Sequence, residues 1–257
     1  MDEKIEAVRD GAVFVGQVLG PLFSIDPSRA EVRPRYDALA ALDVDAAAQD
    51  WPGAAMRGAD AVVRVREALA LVRDALAGGD ADGASSADAE GAAASADADA
   101  GAGAVDAAGI AGAAHAVIGD DLIWEYRRLF VGPGHLVAPP WGSVYTDREC
   151  VIFGLTTLEL RRWMRENRIK VAEDKGEPED HIGTMLSLMA WIAEQRPELL
   201  LEYLRDHLLT WAPHYLDVLE RETTHPFFRG LAQLTRESLA GLQEALALQV
   251  TVPRFYR

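Results

Sequence analysis

The stretch VVRVREALALVRDAL, residues 62–76, shows the pattern that decides the fold. Its apolar residues recur at alternating steps of three and four, which places them on one face of an α-helix. These residues are Val62, Val65, Leu69, Val72 and Leu76. Charged residues such as Arg66 and Asp74 fall between them. The stretch therefore predicts an amphipathic helix with one face on a hydrophobic core.

The same helical period recurs along most of the chain, in segments 5–19, 200–208 and 231–245. Alternating runs of β-branched residues, which would indicate strands, are almost absent. We therefore expect an all-α protein, a single-domain bundle of about eight to ten helices. Pro21 is expected to end the first helix, since proline lacks the N–H that a helix interior needs.

Composition limits the classes of function. The chain has 257 residues, 49% of them hydrophobic, which is enough for a substantial core. A single cysteine, Cys150, excludes an internal disulfide or a multi-cysteine metal site and fits a reducing compartment. The chain contains no uninterrupted apolar run of about 18 residues, so we do not expect a membrane-spanning helix. We expect a cytoplasmic protein.

The charge of the chain is strongly negative, with a formal net charge of −16 at pH 7. Such acidity disfavours nucleic acid, whose binding relies on neutralising phosphates. It favours a cationic partner at low salt. Adaptation to a salty cytoplasm explains the same charge, and net charge alone leaves both interpretations open.

Residues 77–109 differ from the rest of the chain. Ala, Gly, Asp, Ser and Glu make up this segment together with one valine, and it has no aromatic or basic residue. Such a composition buries too little apolar surface to offset the entropy of ordering. We predict a disordered acidic insertion at 77–109 between N-terminal helices in 1–76 and C-terminal helices in 110–257.

Two segments carry chemistry that the helical pattern does not explain. Residues 131–145, VGPGHLVAPPWGSVY, form an apolar loop rich in proline and glycine. In GEPEDHIGTML, residues 176–186, we expect Pro178 in the first turn of a helix. Asp180 and His181 would then lie at the N-terminus of that helix, facing whatever approaches it.

Several chemistries are open to these residues. The six histidines form no HxxxH pair and no HExxH motif, so we expect no metal. No activated serine or cysteine and no phosphate-binding glycine loop is recognisable. Acid–base catalysis by Asp180 and His181 is one interpretation, although neighbouring helical residues point about 100° apart. In the other, Asp180 caps backbone N–H groups and His181 holds the preceding loop.

Three motifs in order, WEYRRLFVGPG at 124–134, PPWGSVYTDRE at 139–149 and EPEDHIG at 177–183, resemble the TorD/DmsD family of redox-enzyme maturation chaperones. The similarity runs from about residue 119 onward and is closest to the DmsD branch, which serves dimethyl sulfoxide reductases. The resemblance implies an all-helical, non-enzymatic, cofactor-free cytoplasmic protein of the TorD-like type. It also implies that the protein occurs as a monomer or an exchanged dimer.

The resemblance further implies a partner: the twin-arginine (Tat) leader, and the apo form, of a molybdopterin-containing oxidoreductase. Members hold the precursor until its cofactor is inserted and then release it for Tat export. The positions that match the family's leader site are Tyr126, Leu129, Gly154, Pro178, Asp180 and His181. This chain departs from the pattern with Tyr126 in place of a tryptophan and Gly134 in place of an aromatic residue.

The residues themselves suggest how a leader would be held. A leader offers arginines, which carboxylates grip with bidentate hydrogen bonds, and an apolar stretch, which suits a groove. We hypothesise that Asp180 contacts the arginine region and that His181 orders the groove. The residues expected to hold the apolar part are Tyr126, Leu129, Pro140, Trp141 and Tyr145. Two alternatives are an assembly chaperone for the body of the catalytic subunit and an acid–base hydrolase using Asp180 and His181.

Overall fold

The computed structural model describes residues 2–77, 115–170 and 176–257. In these ranges the chain forms eleven α-helices and no β-strand, which confirms the all-α prediction. The helices are α1 (Asp2–Ser24), α2 (Arg33–Ala40), α3 (Val44–Asp50), α4 (Ala59–Ala77), α5 (Asp120–Tyr126), α6 (Gly142–Thr146), α7 (Leu155–Glu166), α8 (Ile182–Gln195), α9 (Leu200–Tyr203), α10 (Ala212–Glu222) and α11 (Pro226–Ala245). Two of them, α6 and α9, have only five and four residues. A helix of four or five residues is too short to show a helical period in the sequence. We therefore expected slightly fewer helices.

The acidic insertion predicted for 77–109 lies, apart from Ala77 at the end of α4, outside the described residues. The division of the chain into 1–76, 77–109 and 110–257 stays a prediction. Helices from both flanking parts contribute buried residues to a shared hydrophobic core.

Close contact between α1 and α8 forms one side of the core. Gly16 and Gly20 of α1 face α8, where side chains would not fit. A Cβ atom at Gly16 would lie 2.7 Å from the Cβ of Ala190, and one at Gly20 would lie 2.7 Å from the Oγ of Ser187. The two glycines therefore allow the backbones of α1 and α8 to approach closely.

The other side of the core is built on α4 and α11, which pack along each other. Helices α2 and α3 pack against α4, and α10 packs along α11. Tyr36 of α2 stacks on Phe227 of α11 with ring centroids 5.2 Å apart, and both side chains are fully buried. Aromatic burial of this kind contributes strongly to core stability.

The prediction that Pro21 ends the first helix was wrong, because α1 continues to Ser24. A proline at position 21 cannot donate the usual hydrogen bond to the carbonyl of Gln17. That carbonyl instead accepts a hydrogen bond from Nε of Arg35 at 3.3 Å. A side chain from α2 therefore satisfies the oxygen that the proline leaves free.

A single π-turn, Arg127–Val131, continues α5 into the apolar loop. It ends at Gly132, whose φ of 94° lies in the left-handed region that favours glycine. The N–H of Gly132 donates to the carbonyl of Arg127 at 2.9 Å. This turn sends the chain out of the helix and into the loop at 132–141.

We predict that Gly16→Ala lowers the free energy of unfolding by about 1–3 kcal/mol, because the added methyl group overpacks the contact with α8. The sign is informative, since alanine normally stabilises a helix interior by about 1 kcal/mol relative to glycine. Urea denaturation checks the prediction, with Gln17→Ala on the exposed face of α1 as the control. A Gly16→Ala variant as stable as the parent chain would contradict it.

Candidate functional site

The apolar loop before α6 and the turn before α8 are joined by backbone hydrogen bonds. The N–H of Gly142 donates to the carbonyl of Asp180 at 3.1 Å, and the N–H of Ile182 donates to the carbonyl of Pro140 at 2.8 Å. These bonds form an isolated antiparallel bridge between two segments that are far apart in the sequence. We call this contact the junction. It brings together the second and third of the three sequence motifs.

The carboxylate of Asp180 lies inside the protein beneath the junction and is fully buried. Its Oδ2 accepts a hydrogen bond from the N–H of Ser143 in α6 at 2.7 Å. Its Oδ1 accepts a hydrogen bond from the hydroxyl of Thr157 in α7 at 2.8 Å. Burial raises the pKa of Asp180 above its usual value, and these hydrogen bonds oppose the rise. One side chain thus connects α6 and α7 to the turn before α8.

This arrangement differs from the expected contact between Asp180 and an arginine of a bound peptide. Both carboxylate oxygens face buried groups of the protein itself, so a guanidinium group from solvent has no access to them in this conformation. The expectation for Pro178 also needs correction. The helix begins at Ile182, so Pro178 lies in the turn before it and not in its first turn.

His181 is the N-cap of α8 and is 2% exposed. Its Nδ1 accepts a hydrogen bond from the N–H of Gly183 at 3.1 Å, which requires an unprotonated nitrogen. Its Nε2 lies 3.7 Å from Oε1 of Glu177. Burial lowers the pKa of His181 to about 3. The imidazole is therefore neutral near pH 7 and caps α8, whereas the structural interpretation of the sequence gave the capping role to Asp180 and had His181 hold the preceding loop.

Most of the other residues expected at the site belong to the core. Tyr126 and Leu129 are 4% and 0% exposed, and the ring of Tyr126 lies 5.0 Å from that of Phe130. Tyr145 is also fully buried and stacks on Trp211. Of the nine residues expected at the site, the partly exposed one is Trp141, and eight are buried. The buried ones are Tyr126, Leu129, Pro140, Tyr145, Gly154, Pro178, Asp180 and His181.

An open groove of about 720 Å³ lies on the surface formed by α5, the loop at 132–137 and the turn before α11. Trp124 is 72% exposed in this groove, an unusual state for so large an apolar side chain. Its other apolar walls are Pro133, Leu136, Val137 and Pro226. Asp121 and His225 add polar groups, with His225 Nε2 at 3.4 Å from Asp121 Oδ2. We call this surface the groove.

A buried carboxylate, Glu125, fixes the charge beneath the groove. It accepts hydrogen bonds from Arg128 at 2.7 and 2.8 Å, from the Thr223 hydroxyl at 2.9 Å and from the Thr224 N–H at 2.7 Å. Burial disfavours ionisation, but these hydrogen bonds outweigh it and lower the pKa of Glu125 to about 2. The carboxylate therefore stays ionised at neutral pH and holds Arg128 and the turn before α11 in place.

The sequence analysis did not single out Trp124, although the sequence contains a signal for it. Three buried apolar residues of this segment, Leu122, Tyr126 and Leu129, follow the helical period. Trp124 lies two residues from Leu122 and from Tyr126, so it points away from their face. The sequence therefore places a tryptophan on the exposed side of this helix, where it becomes a candidate for binding once the groove is known.

A second apolar surface surrounds Gly154. We call it the ridge, and its residues are Val151, Ile152, Phe153, Leu155 and Leu158, each between 40% and 62% exposed. Phe153 has a φ of 62°, a strained backbone state for an aromatic residue. A Cβ atom at Gly154 would lie 2.8 Å from Oδ2 of Asp147, so a larger residue here would displace the Asp147 side chain. Gly154 therefore lies in the turn that presents the ridge, and its predicted role in leader binding stays a prediction.

Within residues 2–77, 115–170 and 176–257, no three His, Cys, Asp or Glu side chains are grouped so that they could hold a metal ion. Of the helices in the same ranges, none combines the length and the hydropathy needed to cross a bilayer.

A family model described as nitrate reductase delta subunit matches residues 95–217. The probable Tat proofreading chaperone DmsD of Haemophilus influenzae is 48% identical over 133 residues, which are 52% of this chain and 66% of the relative. The Tat proofreading chaperone DmsD of Salmonella typhi is 47% identical over 139 residues, 54% of this chain and 68% of the relative. The chaperone protein TorD of Shewanella piezotolerans is 28% identical over 123 residues, 45% of this chain and 57% of the relative.

We predict that Asp180→Ala lowers the free energy of unfolding by about 1–3 kcal/mol, because the buried N–H of Ser143 loses its acceptor. Asp180→Asn is the matched control, since an amide can accept from Ser143 and donate to the hydroxyl of Thr157. We expect it to lose clearly less stability than the alanine variant in urea denaturation. Equal losses for both variants would contradict the assigned role of the carboxylate.

A second prediction concerns pH. An unfolded histidine has a pKa of about 6.5, whereas His181 in the folded protein has a pKa of about 3. Between these values the unfolded state binds the proton and the folded state does not, so stability falls as the pH falls. We expect His181 to contribute a loss of about 2 kcal/mol between pH 7 and pH 5.

Denaturation curves at pH 7 and pH 5 check this, with His181→Asn as the control because asparagine also caps helices. The pKa of His207 is lowered by burial to about 4, and its contribution is common to both chains. The asparagine variant should therefore show the weaker pH dependence. The same pH dependence in both chains would show that His181 is not held neutral by burial.

Proposed function

Because the chain belongs to the TorD/DmsD family, on its DmsD branch, we propose that it is a chaperone for the maturation of a redox enzyme. In this proposal it acts in the cytoplasm without catalysis and binds the twin-arginine leader of a molybdopterin-containing, dimethyl sulfoxide reductase-like oxidoreductase. It holds the precursor until the cofactor is inserted and then releases it for Tat export. The relatives at 47–48% identity are named Tat proofreading chaperones, which supports this function.

The observation that carries the proposal is the groove. Its apolar walls, formed by Trp124, Leu136 and Val137, suit the apolar stretch of a leader. The carboxylate of Asp121, whose side chain is 77% exposed, lies at the rim 3.4 Å from Nε2 of His225, and a cationic group of the peptide would share it with that histidine. Binding of a peptide would cover the exposed tryptophan, which is the kind of aromatic anchor that dominates binding energy at interfaces.

In this proposal the buried residues predicted for the site act indirectly, by holding the groove in position. Asp180, His181 and Pro140 hold the junction, and the junction fixes one end of the loop that forms a wall of the groove. Tyr126 and Leu129 anchor the helical segment from which Trp124 and Arg128 project. A change at these positions would weaken peptide binding by moving the groove and not by removing a contact.

The ridge favours a second candidate function, in which the protein binds the body of the catalytic subunit. Five exposed apolar side chains on one surface form a patch of the kind that marks a protein-binding site. A client that bound equally well with and without its leader would favour this candidate. The acid–base hydrolase is not proposed, because Asp180 accepts from the Ser143 N–H and the Thr157 hydroxyl while His181 accepts from the Gly183 N–H, so neither is paired with the other.

We predict that Trp124→Ala weakens binding of a synthetic twin-arginine leader peptide by about tenfold or more, because the groove loses its largest exposed anchor. Titration calorimetry with the full chain measures the effect. Trp191→Ala is the matched control, since Trp191 is 41% exposed on α8 and does not line the groove. Equal losses in both variants, or no binding by the parent chain, would contradict leader binding in the groove.

A further inference from the structure

Residues 254–257, Arg-Phe-Tyr-Arg, lie against other parts of the protein without forming a helix. The N–H of Tyr256 donates to the carbonyl of Tyr145 at 2.9 Å. The ring of Phe255 stacks on His214 with centroids 4.0 Å apart, and Nε2 of His214 is 2.7 Å from the main-chain oxygen of Arg257. The segment is therefore held as a peptide would be, by a backbone hydrogen bond and an aromatic contact.

The guanidinium group of Arg257 contacts a defined set of hydrogen-bond acceptors. Its Nη2 donates to the carbonyl of Leu136 at 2.6 Å and lies 3.5 Å from that of Val137. Its Nη1 lies 3.0 Å from Nε2 of His135. These three residues are 120–122 positions away in the sequence, so the contact is a tertiary one. We call these acceptors the arginine seat.

The arginine seat adjoins the groove, because its three residues also line the groove. Main-chain carbonyls at fixed positions suit a planar fork of N–H donors better than they suit the single ammonium group of a lysine. The sequence analysis assigned arginine recognition to Asp180, which is buried. A set of acceptors that already holds a guanidinium group at the surface is the better-placed alternative.

We propose that the arginine seat is a subsite for an arginine of an extended peptide, and that residues 251–257 occupy it as an internal competitor while no peptide is bound. This inference rests on the function proposed above, and it takes the leader as the peptide. An arginine of the leader replaces Arg257 on the carbonyls of Leu136 and Val137. The apolar part of the leader then lies in the adjoining groove.

Departure of the segment needs no opening of the core. Thr251, Val252, Arg254 and Tyr256 are exposed, and Phe255 and Arg257 are only partly buried. A tethered segment competes at a high effective concentration, and the apparent affinity for a free peptide falls in proportion to the vacant fraction. A segment docked about nine-tenths of the time would weaken leader binding about tenfold.

The test compares the parent chain with Arg257→Ala and the matched control Arg254→Ala. Arg254 is exposed and lies over the ring of Tyr256, outside the arginine seat. We expect Arg257→Ala to bind a twin-arginine leader peptide up to about tenfold more tightly in calorimetry. Arg254→Ala should leave the affinity unchanged. A leader with both arginines replaced by lysine should gain little from Arg257→Ala, since lysine fits the seat poorly.

Hydrogen exchange on the free chains gives a readout that does not depend on the leader. The amide of Tyr256 should exchange faster in Arg257→Ala than in the parent chain and the control. Unchanged exchange would show that Arg257 does not hold the segment and would overturn the proposal. Unchanged leader affinity in Arg257→Ala would overturn the competition. If no chain bound the leader while exchange changed as expected, the proposed function would fail and the arginine seat would stand as an intramolecular contact.

Discussion

Asp180 accepts hydrogen bonds from the N–H of Ser143 and the hydroxyl of Thr157 in the interior of the protein. Removing either partner would leave a buried polar group without compensation, which is costly in a low-dielectric interior. The carboxylate therefore constrains α6, α7 and the turn before α8 to one arrangement. The apolar loop at 132–141 enters α6 at this point, so its course over the surface depends on the same interaction.

The two surface features of the functional proposal share that loop. Leu136 and Val137 form a wall of the groove through their side chains and supply the arginine seat through their carbonyls. One rigid loop can thus present an apolar surface and a guanidinium site in a fixed relation, which is what an extended peptide with arginines beside an apolar stretch requires. Glu125 fixes the opposite side of the groove by holding Arg128 and the turn before α11.

The helical period of segments such as 62–76 was enough to predict the fold class, because burial of one helix face repeats every three to four residues. The second and third motifs also cover the two segments that meet at the junction. Sequence could not show which way the carboxyl of Asp180 points, since the same residue caps a buried N–H or faces a ligand. The seat of Arg257 depends on a contact across 121 positions, which local patterns do not encode. Trp124 could have been identified from the sequence, because it lies off the apolar stripe of its helix.

Hydrogen exchange of the parent chain with and without a twin-arginine leader peptide tests the central claim most directly, because it maps the contact surface without any substitution. When the leader binds, we expect slower exchange in residues 124–137, together with faster exchange at residues 251–257 as that segment leaves. Protection confined to the ridge at 151–158, with residues 124–137 and 251–257 unchanged, would contradict the account.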